Sequence, residues 1–75
     1  MSKKSRRERF IRIAEARTNK ILTMLRLLGN CSSKANYEYT EKDIRQIFGA
    51  LEKEIRNTRN RFMGIDTKEE KFTLR

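Results

Sequence analysis

The chain has 75 residues, a net charge of +9, one cysteine and no histidine. A chain this short forms at most one domain, and it buries only about 60% of its unfolded surface, which makes it marginally stable alone. One cysteine excludes an internal disulfide, and the lack of histidine excludes the common Cys/His zinc sites and histidine acid–base catalysis. We therefore expect stability to come from oligomerisation.

No apolar run reaches 18 residues, so we expect no membrane span. The basic N-terminus MSKKSRRERF is not followed by an uninterrupted apolar segment, which argues against a secretory signal. A lone cysteine fits a reducing compartment. These features predict a cytoplasmic protein.

The first ten residues after Ser2 carry a dense positive charge that only Glu8 opposes. Such a segment can follow a phosphate backbone, although it would equally suit a solvated helix start. Cations at a helix N-terminus oppose the helix dipole, which disfavours a purely structural explanation. We therefore predict a nucleic-acid-binding surface formed by Lys3, Lys4, Arg6, Arg7, Arg9 and Arg12.

A first helix is predicted over residues 5–28, because apolar residues recur there on one side with a period of 3.6. Its broad apolar stripe comprises Phe10, Ile13, Ala14, Ile21, Met24, Leu25 and Leu28, with Ile11, Leu22 and Leu27 at the edges. Arg17 falls within this stripe and needs a partner there. We expect a structural ion pair between Arg17 and Glu52 of the second helix, with Glu54 nearby; a phosphate or ligand contact in a cleft is the alternative.

The connector, residues 29–40, begins at Gly29, where a helix C-cap is expected. It is longer than most links between helices, and such length can be functional. Two explanations stay open: the tyrosines cover the end of a helical bundle, or the connector is a docking corner for a base or peptide. The corner would comprise Asn30, Lys34, Asn36, Tyr37 and Tyr39, with Cys31 as a structural thiol.

A second helix is predicted over residues 41–63. Thr40 with Asp43 resembles a capping box, and Gly64 follows the helix as a C-cap. Gly49 lies inside the helix, where we expect a close helix crossing to explain it. Thr58 is the one polar interruption of an apolar stripe made of Ile44, Ile47, Phe48, Leu51, Ile55 and Phe62.

The tail, residues 64–75, lacks a helical pattern; we expect a frayed end, with a short strand or a docked extended segment as alternatives. The whole chain, residues 1–75, is predicted to be one all-α domain, an antiparallel two-helix hairpin. A hairpin leaves part of each stripe exposed, and pairing two hairpins into a dimeric four-helix bundle would cover it. We therefore expect a homodimer.

The stretches "AEARTNK", "LLGNCS" and "NYEYTE" resemble those of short proteins encoded on Gram-positive plasmids and integrative mobile elements. The likeness extends over about residues 8–62. It implies a bacterial cytoplasmic setting near replication or transfer genes, and it names no functional residue.

Charge and resemblance together predict an accessory or regulatory protein of a mobile element that binds DNA or RNA through phosphate contacts. Residues 1–39 hold 10 basic and 3 acidic residues, whereas residues 40–75 hold 9 and 7; such an uneven positive charge suits a polyanion. The alternative is a small helical adaptor that binds another protein and no nucleic acid. We see no catalytic arrangement, no metal-ligand cluster and no cofactor-binding motif, so we expect no enzyme.

Overall fold

A computed structural model describes residues 3–65 and 72–74; the side chains of Lys3 and Lys4 lie outside the described part. The described residues form two α-helices and one turn of 3₁₀ helix, and they contain no strand. The predicted all-α class is therefore confirmed. The chain divides into two units, Met1–Tyr37 and Glu38–Arg75, with one long helix in each.

The first unit contains α1, Lys3–Gly29, which spans about 40 Å at 1.5 Å per residue. The prediction of residues 5–28 was short by two residues at the start and one at the end. Ile13, Ala14 and Leu28 are half-buried, whereas Ile21 and Met24 are 59% and 58% exposed. The apolar stripe of α1 is thus present as a continuous, largely exposed surface.

The end of α1 differs from the prediction at Gly29. Its φ of −58° and ψ of −30° are right-handed helical angles, so it does not form the left-handed C-cap that its position suggested. The chain instead tightens into the 3₁₀ turn Asn30–Ser32 and becomes extended at Ser33. Glycine at this position has helical neighbours on both sides, and the prediction of a cap here was wrong.

The second unit contains α2, Glu41–Phe62, and its start confirms the predicted capping box. The Asp43 amide donates to Thr40 Oγ1 at 3.2 Å, and the Thr40 amide donates to Asp43 Oδ2 at 2.9 Å. These two bonds satisfy amide groups that a helix start otherwise leaves without an acceptor. Glu41 and Asp43 also place negative charge in the first turn, where the helix dipole favours it.

The end of α2 confirms Gly64 as its cap. Gly64 has a φ of +78°, which glycine adopts without steric cost. Its amide donates to the Arg61 carbonyl at 3.3 Å, and the Ile65 amide donates to the Asn60 carbonyl at 2.8 Å. This pair of bonds is the Schellman motif, which stops the helix and turns the chain.

Two residues inside α2 have local explanations. Thr58 satisfies its hydroxyl by donating to the Glu54 carbonyl one turn earlier at 2.8 Å, so a polar group is tolerated within the apolar stripe. Around Gly49, no heavy atom of the described residues lies within 4 Å of the place a Cβ would occupy, apart from its helical neighbours. The close helix crossing expected at Gly49 is therefore not found in the described part of the chain.

Residues 72–74 lie outside regular secondary structure. Phe72 and Thr73 line a cleft of about 260 Å³ with residues of α2: Gln46, Ala50, Lys53, Glu54 and Asn57. At about 100° per residue, these α2 residues face away from Ile44, Ile55 and Phe62. The cleft therefore leaves the apolar stripe of α2 uncovered, with Ile55 52% and Phe62 74% exposed.

Neither described helix combines the length and the apolar character needed to cross a membrane.

Candidate nucleic-acid interface

The predicted basic segment forms the first three turns of α1. Arg6, Arg7, Arg9 and Arg12 are all exposed, and the first turn of the helix contains no acidic residue. The Arg7 guanidinium carbon lies 5.8 Å from the centre of the Phe10 ring, a distance that allows a cation–π contact. The local geometry therefore presents the guanidinium groups to solvent.

These cations do not share one narrow face. With about 100° between successive residues, Arg6, Arg9 and Arg12 follow one another at about 60° along a broad side of the helix, whereas Arg7 projects about 100° from Arg6. Those in the first turn, such as Arg6, also lie at the positive end of the helix dipole, which makes the helix start less favourable. A negatively charged partner near the start of α1 would offset this unfavourable interaction between the cations and the helix dipole.

One strip on α1 was missed by the sequence analysis. Arg12, Ala16, Asn19 and Thr23 are exposed and recur at intervals of four, three and four residues, which keeps them on one side of the helix. We call these four residues the outer strip. Arg12, Ala16 and Asn19 share a shallow open depression with Glu8, Ile11 and Glu15. The helical period of the polar residues would have revealed the strip, but only the apolar residues were placed by their period.

The outer strip lies on the side of α1 opposite to Ile21 and Leu25. The carboxylates of Glu8 and Glu15 lie along one border of the strip, and Arg9 and Lys20 lie along the other. All four of these bordering side chains are exposed. The strip itself carries hydrogen-bond donors and one small residue, and no carboxylate.

The corner predicted for docking is folded locally. The Asn36 and Tyr37 amides both donate to the Ser33 carbonyl, at 3.1 Å and 2.9 Å, and Asn36 Nδ2 lies 3.4 Å from Ser33 Oγ. Tyr37 is 53% exposed, whereas Tyr39 is half-buried. Cys31 is exposed as a free thiol, and Asn30 and Lys34 are exposed as well. Tyr37 is thus exposed and Tyr39 half-buried, and both explanations of the connector stay open.

The predicted ion pair involves residues of both units. Arg17 is exposed on α1 and Glu52 is exposed on α2. Their pairing stays a prediction. Within α2, Arg45 lies 3.8 Å from Glu41 one turn earlier, and both side chains are highly exposed. An ion pair so open to solvent contributes little to stability.

Charge is distributed differently on α2. Acidic residues occupy its first turn and basic residues its last, where Arg59 and Arg61 favour the helix dipole. Glu52 and Glu54 separate these cations from those nearer the start. Arg59 and Arg61 therefore have a structural role in their own helix, which the cations at the start of α1 lack.

Within residues 3–65 and 72–74, no three His, Cys, Asp or Glu side chains are grouped so that they could hold a metal ion. Comparisons of the chain with protein-family models, curated proteins and solved structures found no match.

Proposed function

We propose that the chain is a nucleic-acid-binding accessory or regulatory protein of a bacterial mobile element, acting in the cytoplasm. The observation that carries the proposal is the start of α1. Four exposed arginines follow one another over the first three turns, and the first of these turns, where the helix dipole disfavours cations, contains no acidic residue. Phosphate groups would supply the missing negative charge, and the release of their counterions would drive binding.

The proposal includes a helical hairpin that dimerises as a four-helix bundle. The two helices have apolar stripes of the same period, with successive intervals of four, three, four, three and four residues. This is the spacing of helices that pack side by side. The positions are Phe10, Ala14, Arg17, Ile21, Met24 and Leu28 in α1, and Ile44, Phe48, Leu51, Ile55, Thr58 and Phe62 in α2.

Burial gives a second reason to propose the dimer. No described side chain is fully buried, and large apolar side chains such as Phe48, at 48%, and Ile55, at 52%, remain exposed. At about 25 cal/mol per Å² of apolar surface, covering such stripes is the main stabilisation available to a chain of this size. Within the proposed bundle, Arg17 would pair with Glu52 and keep the register of the hairpin.

The test is the mass of the protein in solution by light scattering, alone and with a mixed-sequence DNA duplex or a single-stranded RNA, at low and moderate salt. We expect a dimer that gains nucleic-acid mass at low salt and loses it as salt rises. A dimer that binds neither nucleic acid at low salt would contradict the proposed function. A monomer would contradict the bundle.

A second candidate function is an adaptor that binds another protein. The exposed stripe of α2 favours it, because its apolar residues lie beside mixed acidic and basic residues, as in protein–protein interfaces. A dimer that is indifferent to nucleic acid, and whose α2 stripe stays accessible to solvent, would favour the adaptor.

A further inference from the structure

We infer that α1 enters the major groove of double-stranded DNA and reads base edges with the outer strip. This inference rests on the proposed function and narrows it from nucleic acid in general to B-form DNA with a sequence preference. It adds base contacts to the phosphate contacts of the basic segment.

The dimensions of α1 fit the major groove. The major groove of B-DNA is about 12 Å wide and admits one α-helix. α1 is a single continuous helix of 27 residues, and its outer strip extends about 16 Å along the axis from Arg12 to Thr23. That length matches the few base pairs that one helix reads in a groove.

The side chains of the outer strip carry groups that recognise base edges. Arginine forms paired hydrogen bonds with guanine, asparagine does so with adenine, and threonine or alanine methyl groups contact the thymine methyl. Arg12, Asn19 and Thr23 supply these groups in a row. Ala16 lies between them, and its small side chain allows the helix backbone to approach the base edges.

The outer strip also faces a direction that the proposed bundle leaves open. It faces away from Ile21 and Leu25, so a bundle that covers the apolar stripe leaves the outer strip open. Arg9 and Lys20 follow one border of the strip, where they would meet phosphates on one wall of the groove. The opposite border carries Glu8 and Glu15, which would lie nearer the other wall and weaken binding there.

The same geometry excludes double-stranded RNA as the preferred ligand. Its major groove is deep and narrow, and side chains on a helix cannot read it. The inference therefore predicts a clear preference for duplex DNA over duplex RNA of the same sequence at equal salt.

The test is selection of bound duplexes from a random DNA pool by the full-length protein, followed by affinity measurements on the selected sequence. We expect a short consensus, and we expect Asn19→Ala to relax one position of it. The ratio of specific to non-specific affinity should fall roughly 10- to 100-fold, the usual effect of losing one paired contact to a base.

Thr23→Ala and Thr18→Ala are a matched pair, because both threonines are exposed on α1 but Thr18 projects away from the outer strip. Thr23→Ala removes the hydroxyl and draws the methyl group back toward the helix, out of reach of a base edge, so it should change the consensus, whereas Thr18→Ala should leave it unchanged. Circular dichroism on each variant checks that the helices persist. Ala16→Leu, which keeps a strong helix former, should reduce specific binding by blocking the approach.

The outcomes distinguish a failure of groove reading from a failure of the proposed function. Binding that persists without any consensus, or that is equally strong on duplex RNA, would overturn groove reading and leave the proposed function standing. The absence of binding to every duplex and single strand at low salt would overturn the proposed function itself. A consensus that Thr18→Ala alters as much as Thr23→Ala would also overturn the outer strip as the reading surface.

Discussion

The two helices begin in opposite ways. α2 starts with a capping threonine and two acidic residues, and it ends with arginines and a glycine cap. α1 starts with cations and no acidic residue in its first turn, and it ends by tightening into a 3₁₀ turn without a left-handed cap. Both ends of α2 therefore carry residues that stabilise a helix end, whereas the start of α1 works against its own dipole.

The difference indicates what each helix contributes. The ends of α2 are explained by the requirements of the helix itself, so they need no partner. The start of α1 is not explained in that way, and its cost of a few tenths of a kcal/mol per cation calls for a compensating interaction. We assign that interaction to phosphate groups, and the following predictions separate the two helices accordingly.

The largest expected effect is on binding. Replacing Arg6, Arg7, Arg9 and Arg12 together by glutamine should weaken nucleic-acid affinity by roughly three orders of magnitude at physiological salt, because three phosphate contacts and the base contact of Arg12 are lost. The stability of α1 should stay the same or rise, since cations leave the positive end of the dipole. Fluorescence anisotropy with a labelled duplex measures the first effect, and thermal unfolding measures the second.

The matched control removes cations from the other helix. Changing Arg56, Arg59 and Arg61 to glutamine should lower stability, because Arg59 and Arg61 lie in the last turn, at the negative end of the α2 dipole. Its effect on affinity should be much smaller than that of the α1 variant. Equal losses of affinity from the two variants would show that net charge, and not the α1 start, governs binding.

The next effect concerns the capping box of α2. Thr40→Ala removes the acceptor of the Asp43 amide and should cost about 1 kcal/mol of unfolding free energy, measured by urea denaturation. Thr58→Ala is the control, because its hydroxyl bonds only to a carbonyl one turn earlier and should matter little. A Thr40→Ala variant as stable as the parent would argue against the capping box in solution.

The three glycines should respond with different signs. Gly64→Ala should destabilise by about 1 kcal/mol, since its φ of +78° disfavours any side chain. Gly49→Ala should stabilise by up to about 1 kcal/mol, because alanine favours a helix interior and space is open around it. Gly29→Ala should not destabilise, since its angles are helical.

Urea denaturation of the three single variants measures these differences. A destabilising Gly49→Ala would restore the close helix crossing that the sequence suggested.

The smallest effect is that of the exposed pair between Glu41 and Arg45 on α2. Arg45→Ala should change the unfolding free energy by no more than about 0.5 kcal/mol, and salt should reduce the difference further. Urea denaturation at low and high salt measures it. A larger loss would mean that Arg45 contacts more than its own helix.

Much of the fold could be predicted from residues with purely local requirements. Thr40 and Asp43 define the start of α2, and Gly64 defines its end, because caps depend on a few neighbouring residues. Gly29 could not be predicted in the same way. A glycine adopts right-handed and left-handed angles alike, so its sequence position alone does not select between them.

The candidate nucleic-acid interface was also predicted only in part, because some of its residues are evident from composition and others are not. The charge of Arg6 and its neighbours is visible in composition, so the basic segment could be named from sequence. The outer strip includes uncharged residues such as Ala16 and Asn19, which composition does not single out. Their common side is found only when polar residues, like the apolar ones, are placed by the helical period. Whether the tyrosines of the connector are covered or accessible was left open, because partial burial such as that of Tyr39 depends on packing that composition does not report.

The most direct test of the account is the salt dependence of affinity for duplex DNA, compared between the parent chain and the four-arginine α1 variant. We predict that the slope of log affinity against log salt becomes shallower by about 0.9 for each phosphate contact removed, or roughly 3 units in total. An unchanged slope in a variant that keeps its helices would contradict the assignment of the α1 start to phosphate binding.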